Sequence, residues 1–171
     1  MQDRDVLVPV DFSAASLCAI ECAVEQAGEG GQVYLLHVVD TDFVARVEAS
    51  GLGRAEALVD KLRQEARERM EAIVAACPAT VPRIDSLVVA GKPYGEILKM
   101  ARELDFDMIV LATHGKRAGE VESLLFGTTT EKVLRGAQSP VLCVPPALRG
   151  DGAVEGGTCA AVVGEPEAAG E

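Results

Sequence analysis

The residues best suited to holding a ligand lie between Asp107 and Pro145, in DMIVLATHGKRAGEVESLLFGTTTEKVLRGAQSPVLCVP. The stretch reads as a buried strand (Met108–Ala112), a Gly-containing loop (Thr113–Phe126), a Gly-Thr helix start at Gly127–Thr128, a helix to about Arg135 and a last strand, Val141–Val144. Gly115 and Gly127 allow backbone to come close to a ligand. The helix start offers N–H groups and the positive end of the helix dipole, a match for an anion such as a phosphate. Thr128 and Glu131 also have capping-box spacing, so the same residues can be read, as the lesser alternative, as a plain helix start. His114 is within reach of a phosphate or ribose, but a lone loop histidine with no visible Asp or Ser partner makes a poor catalyst. Lys116 and Arg117 suit a triphosphate or a solvated loop tip. No GxxxxGK[ST] motif occurs, so the P-loop mechanism does not apply.

Such a cradle needs a scaffold of strands and helices. Asp5–Val10 is an apolar run followed by Asp11, with Ser13 as N-cap for a helix over about Ala14–Ala27. Leu17, Ile20, Val24 and Ala27 make its inward stripe. Val33–Val39 is a second buried strand with Asp40 at its exit, and residues 40–52 read as a loop. A long amphipathic helix follows over Gly53–Cys77, with Leu58, Leu62, Ala66, Met70, Ile73 and Cys77 on one face and a solvated charge run on the other. After Pro78 and Pro82 come a strand at about Ile84–Ala90 and a helix opened by Pro93, with Ile97, Leu98, Ala101 and Leu104 inward. Five strands alternating with four helices predict an α/β fold: a parallel sheet with helices on both faces, binding ligands beyond the strands' carboxyl ends. Asp11, Asp40 and the 112–128 loop all fall on that rim. Residues 1–147 make one domain by size, and the Gly/Ala/Glu-rich residues 148–171 read as a flexible acidic tail.

Composition narrows the partners. A formal charge of −11 argues against sequence-independent binding to nucleic acid or an anionic membrane. Five of the acids (Asp151, Glu155, Glu165, Glu167, Glu171) lie in residues 151–171, which hold no base. No 18-residue apolar run exists and MQDRDVLV has no signal-like core, so a cytoplasmic protein with reduced thiols is expected. Cys18 and Cys22, four apart on a helix, lack further ligands at metal spacing and read as small hydrophobes; Cys143 reads as a buried strand residue.

Taken together, VLVPVDFS, LLHVVD and LATHG…LFGTTTEKVLRGAQSPVLCVP, in this order over about residues 4–145, resemble the universal stress protein family. The resemblance implies a five-stranded, Rossmann-like fold of the adenine nucleotide alpha hydrolase-like type. It also implies a homodimer paired through the last strand, here Val141–Val144. Some members bind ATP or AMP and others do not. The binding members carry G-x2-G-x9-G-[ST]; here Ala112 stands at the first glycine and eleven residues separate Gly115 from Gly127. Carried over, Asp11 meets the adenine or ribose. Pro9 and Val10, with Val38 or Val39, line the base pocket. Gly115, Gly127 and Thr128 wrap the phosphates, with Thr129 close behind. A bound triphosphate would bring Mg2+, with Asp11 and Asp40 as water-mediated supports. The altered motif leaves open a nucleotide-free, dimeric interaction module. A slow ATPase lacks any evident base for the attacking water.

Overall fold

Val6, Leu7 and Val8 are all but completely buried because β1 (Asp5–Pro9) runs through the middle of a parallel sheet with helices on both faces. The computed structural model describes residues 3–77, 82–113 and 126–145. After β1 come α1 (Ala14–Ala27), β2 (Gln32–Asp40), α2 (Thr41–Ala49), α3 (Ala55–Ala76), β3 (Arg83–Gly91), α4 (Pro93–Glu103), β4 (Met108–Ala112), α5 (Thr128–Gly136) and β5 (Val141–Val144). The sheet order is β3-β2-β1-β4-β5, and every pairing is parallel.

Alternation along β1 divides the core. Val6 and Val8 face one side, where Ile20 and Ala23 of α1 and Met70 and Ile73 of α3 meet them. Leu7 faces the other, against Ile97 of α4, Phe106 and Val133 of α5. On α1 the closest packing comes from Ala19, Ile20, Ala23 and Ala27, all completely buried, whereas Val24 is only half-buried. Small side chains let that helix lie close to the sheet. The α3 stripe is deepest at Ala66, Met70 and Ile73, with Leu58, Leu62 and Cys77 at its half-buried margins.

The predicted five-stranded α/β fold is the one observed. Ser13 caps α1 as expected, its hydroxyl accepting from Ser16 N at 3.1 Å, and Pro93 stands in the first turn of α4. Two expectations fail. The segment read as a loop over 40–52 contains α2, so five helices stand among the described residues. Asp40 starts it by accepting from the N–H of Asp42 (2.9 Å) and Phe43 (3.3 Å), while Val44 anchors it to the core. Leu104, expected to point inward, lies past the end of α4 and is exposed; Phe106 takes the buried position instead. The acidic tail lies outside the described residues.

Candidate functional site

The strand order changes direction between β1 and β4, the position where parallel sheets of this kind open a crevice. Pairing shows the opening. β1 stays in register with β2 as far as Pro9↔Leu36, but its ladder with β4 ends at Leu7↔Ile109. The carboxyl ends of β1 and β4 therefore part above the sheet.

On the β1 side, Val10 is held rather than offered. Its N–H donates to Leu36 O (2.8 Å), its carbonyl accepts from His37 Nδ1 (2.7 Å), and its side chain is buried. A carbonyl only accepts, so Nδ1 carries the proton. Asp11 follows, half-buried at the rim, its Oδ1 accepting from Ser13 Oγ (2.6 Å) and Ser13 N (3.0 Å). Phe12 then turns the chain into α1 through the left-handed region, at φ 62°. Pro9 is half-buried beneath this turn. On β2, Val38 is half-buried against the α4/α5 core and Val39 is fully buried, so Val38 is the more open of the two.

On the β4 side, two hydrogen bonds tie the start of α5 to the end of the strand. Gly127 N donates to Thr113 O (2.9 Å), and Thr130 Oγ1 donates to the carbonyl of the buried Ala112 (2.9 Å). Thr113 N in turn donates to Val144 O (2.9 Å). Gly127 is the N-cap, with φ −59° and ψ 150°, and it closes the first turn by accepting from Glu131 N. The capping box expected from Thr128 and Glu131 is not formed. The cap lies one residue earlier, at a glycine with no side chain to supply, and Glu131 instead meets Arg135 at 2.6 Å. No side chain caps α5, which leaves the first-turn N–H groups at Thr128 and Thr129 without a side-chain acceptor at the cap. Thr128 is exposed and Thr129 half-buried.

His114, Gly115, Lys116 and Arg117 lie outside the described residues. Asp40 sits at the carboxyl end of β2 but spends an oxygen on the α2 cap, and among the described residues no group of three His, Cys, Asp or Glu could hold a metal. Cys22 packs on the core, and burial first, with Glu25 second, pushes its thiol pKa up, away from reactive thiolate. Cys143 is half-buried, and burial raises its pKa too. No described helix is long and apolar enough to cross a membrane.

Thr130, which no motif singled out, is the clasp of the site. Thr130→Val keeps the volume but leaves the Ala112 carbonyl unpaired, and should cost about 1–3 kcal/mol. Denaturant unfolding measures it; a loss below a few tenths would show that water replaces the bond.

Comparison with known proteins agrees with this geometry. Residues 4–145 match the model of the universal stress protein family. A universal stress protein of Methanocaldococcus jannaschii is 28% identical over 154 residues, covering 82% of this chain and 94% of its own. The solved structure of that protein superposes with a TM-score of 0.73 at 29% identity, covering 85% of this chain and 97% of the other. More distant structures share the fold. They include a universal stress protein in complex with cAMP (TM-score 0.55, 21% identity, 86% of this chain and 100% of that one). Another comes from Archaeoglobus fulgidus in complex with dAMP (TM-score 0.53, 19% identity, 84% and 98%). Three sequence segments in order, a β3-β2-β1-β4-β5 sheet and a family match over nearly all the described residues have one meaning: this chain belongs to the universal stress protein family.

Proposed function

We propose that this chain binds an adenine nucleotide, ATP or AMP, at the crevice between β1 and β4, in a regulatory or stress-protective role. The observation that carries the reading is the start of α5: uncapped by any side chain, yet anchored to β4 through Gly127 N and Thr130 Oγ1. A preorganised set of N–H groups at a helix dipole's positive end suits phosphate. Asp11, across the crevice just past the end of β1, meets the sugar or base, with Pro9 and Val38 beside it. Gly115 and His114 complete the phosphate side in this reading, and Thr129 stands behind Thr128. The cAMP- and dAMP-bound relatives lend support, since both hold adenine nucleotides on the same fold. A triphosphate would carry Mg2+ with it, held chiefly by phosphate oxygens.

The test is to denature freshly purified protein and identify released nucleotide by chromatography and mass spectrometry, then to titrate emptied protein with AMP and Mg-ATP by calorimetry. Near-stoichiometric nucleotide, or a Kd below about a millimolar, is expected. Silence with both ligands would remove the reading.

One observation favours a second role, a dimeric interaction module. β5 is a sheet edge whose residues, Val141–Val144, are only half-buried in the single chain. Pairing of two copies along that edge would cover them. Sedimentation would report a homodimer; a monomer at micromolar concentration would discard this role.

A further inference from the structure

Between the β1 strand and the α1 helix the chain makes an unfavourable turn, and the residues clamping it come from two other elements. Phe12 occupies the left-handed region at φ 62°, a conformation that side-chain-bearing residues rarely adopt. Its ring is buried in the α1/α3 core. The His37 ring of β2 lies 4.6 Å from it, centroid to centroid, and the guanidinium carbon of Arg69 on α3 lies 4.0 Å from the same centroid. The same histidine donates to the carbonyl of Val10, two residues before Phe12. His37 thus grips this turn twice, by a hydrogen bond before Asp11 and by ring contact after it.

We infer that His37 is a positioning residue for the β1–α1 turn: its Nδ1–H on the Val10 carbonyl sets the direction in which Asp11 meets the ligand. The functional half of this inference rests on the nucleotide reading above; the structural half does not. The bonds from Ser13 to Asp11 lie within the turn, and the His37 bond to Val10 adds a hold on it from another element. β2 is well placed for this, being locked to β1 through Pro9↔Leu36, next to His37. Arg69 adds the α3 contribution by holding the Phe12 ring.

Two substitutions at His37 separate the donor from the ring. In His37→Asn a side-chain amide nitrogen can stand where Nδ1 stands, so the bond to Val10 is kept without the ring. In His37→Phe the ring is kept without the donor. Each protein is read by amide hydrogen exchange over residues 10–16 and by calorimetric titration with AMP and Mg-ATP. His37→Phe should speed exchange in that segment at least tenfold while leaving β3 and α4 unchanged, and weaken nucleotide binding about tenfold. His37→Asn should restore both to within about threefold of the parent. Wild-type exchange and affinity in His37→Phe would overturn the inference, as would His37→Asn behaving like His37→Phe. If the parent protein binds neither nucleotide, the nucleotide reading fails, yet exchange over 10–16 still decides what His37 does. Should His37→Phe not fold, Arg69→Met keeps the stem and removes the charge over Phe12. Faster exchange confined to 11–13 is then expected, and none would count against the clamp.

Discussion

Thr128→Glu should weaken nucleotide binding by about thirtyfold while leaving the fold intact or slightly more stable. Thr128 is the first residue of α5 and is exposed, so a longer side chain meets no packing obstacle. A carboxylate in a helix's first turn interacts well with the dipole, worth about 0.3–1 kcal/mol of stability. Phosphate bound at the same N–H groups would instead meet a like charge about 8 Å away. At an effective dielectric of about 20 that repulsion is on the order of 2 kcal/mol, or roughly thirtyfold in Kd. The two effects have opposite signs, which makes the variant informative. Thr128→Gln, uncharged and of similar size, is the control. Equal affinity for Mg-ATP in Thr128→Glu and the parent would mean that phosphate does not sit at α5.

Gly31→Ala should be the most destabilising single-methyl change in the described chain, at about 3 kcal/mol. Gly31 is buried where the end of α1, the start of β1 and the start of β2 converge. Backbone bonds seal this junction: Arg4 N donates to Ala27 O, and Gln32 N to Arg4 O, both at 3.0 Å. An added Cβ would fall closer than 3.0 Å to Ala27 O, Arg4 O and Arg4 N. All three are backbone atoms, and none can swing aside as a side chain would. Relief therefore requires one of the seals to open. The expected fall in Tm is about 6–12 °C for a chain of this size. Gly95→Ala, inside α4 with its nearest neighbour at 3.8 Å, is the contrast and should be neutral or gain up to about 1 kcal/mol. A Gly31→Ala protein melting with the parent would show that the junction is looser than its hydrogen bonds suggest.

Strands were the most legible part of this sequence. Val6–Val8 and Val33–Val39 are apolar on both faces, which few other environments permit, and their alternation with amphipathic helices implied the parallel sheet. Helix α2 was hidden because nine residues with Val44 as the one buried anchor make too short a stripe for periodicity to register. Its real signal was Asp40–Thr41–Asp42, an N-cap followed by an acidic first turn. At the site, Asp11 and Gly127–Thr128 could be placed on one rim from connectivity alone. The bond from Thr130 to Ala112 could not, because it spans 18 residues and depends on how α5 docks. Nor could the true position of the α5 cap. The spacing of Thr128 and Glu131 fits a capping box, yet a shift of one residue hands the cap to Gly127 and Glu131 to Arg135. Nor could the bond from His37 to the Val10 carbonyl be placed, which follows from β1–β2 register that composition does not encode.

The pairing of β1 with β4 also has a consequence in time. Asp5 N donates to the carboxylate of Asp107, 102 positions later in the chain. At about 5–20 residues per second, a ribosome needs roughly 5–20 s to make that interval, and until then β2 is the one neighbouring strand that can have been made for β1. The crevice does not exist until β4 and α5 have been added. A nucleotide bound there would hold only finished molecules, stabilising them by about 2.7 kcal/mol at a hundredfold excess over Kd. Newly made chains and complete ones would then respond differently to the same nucleotide supply.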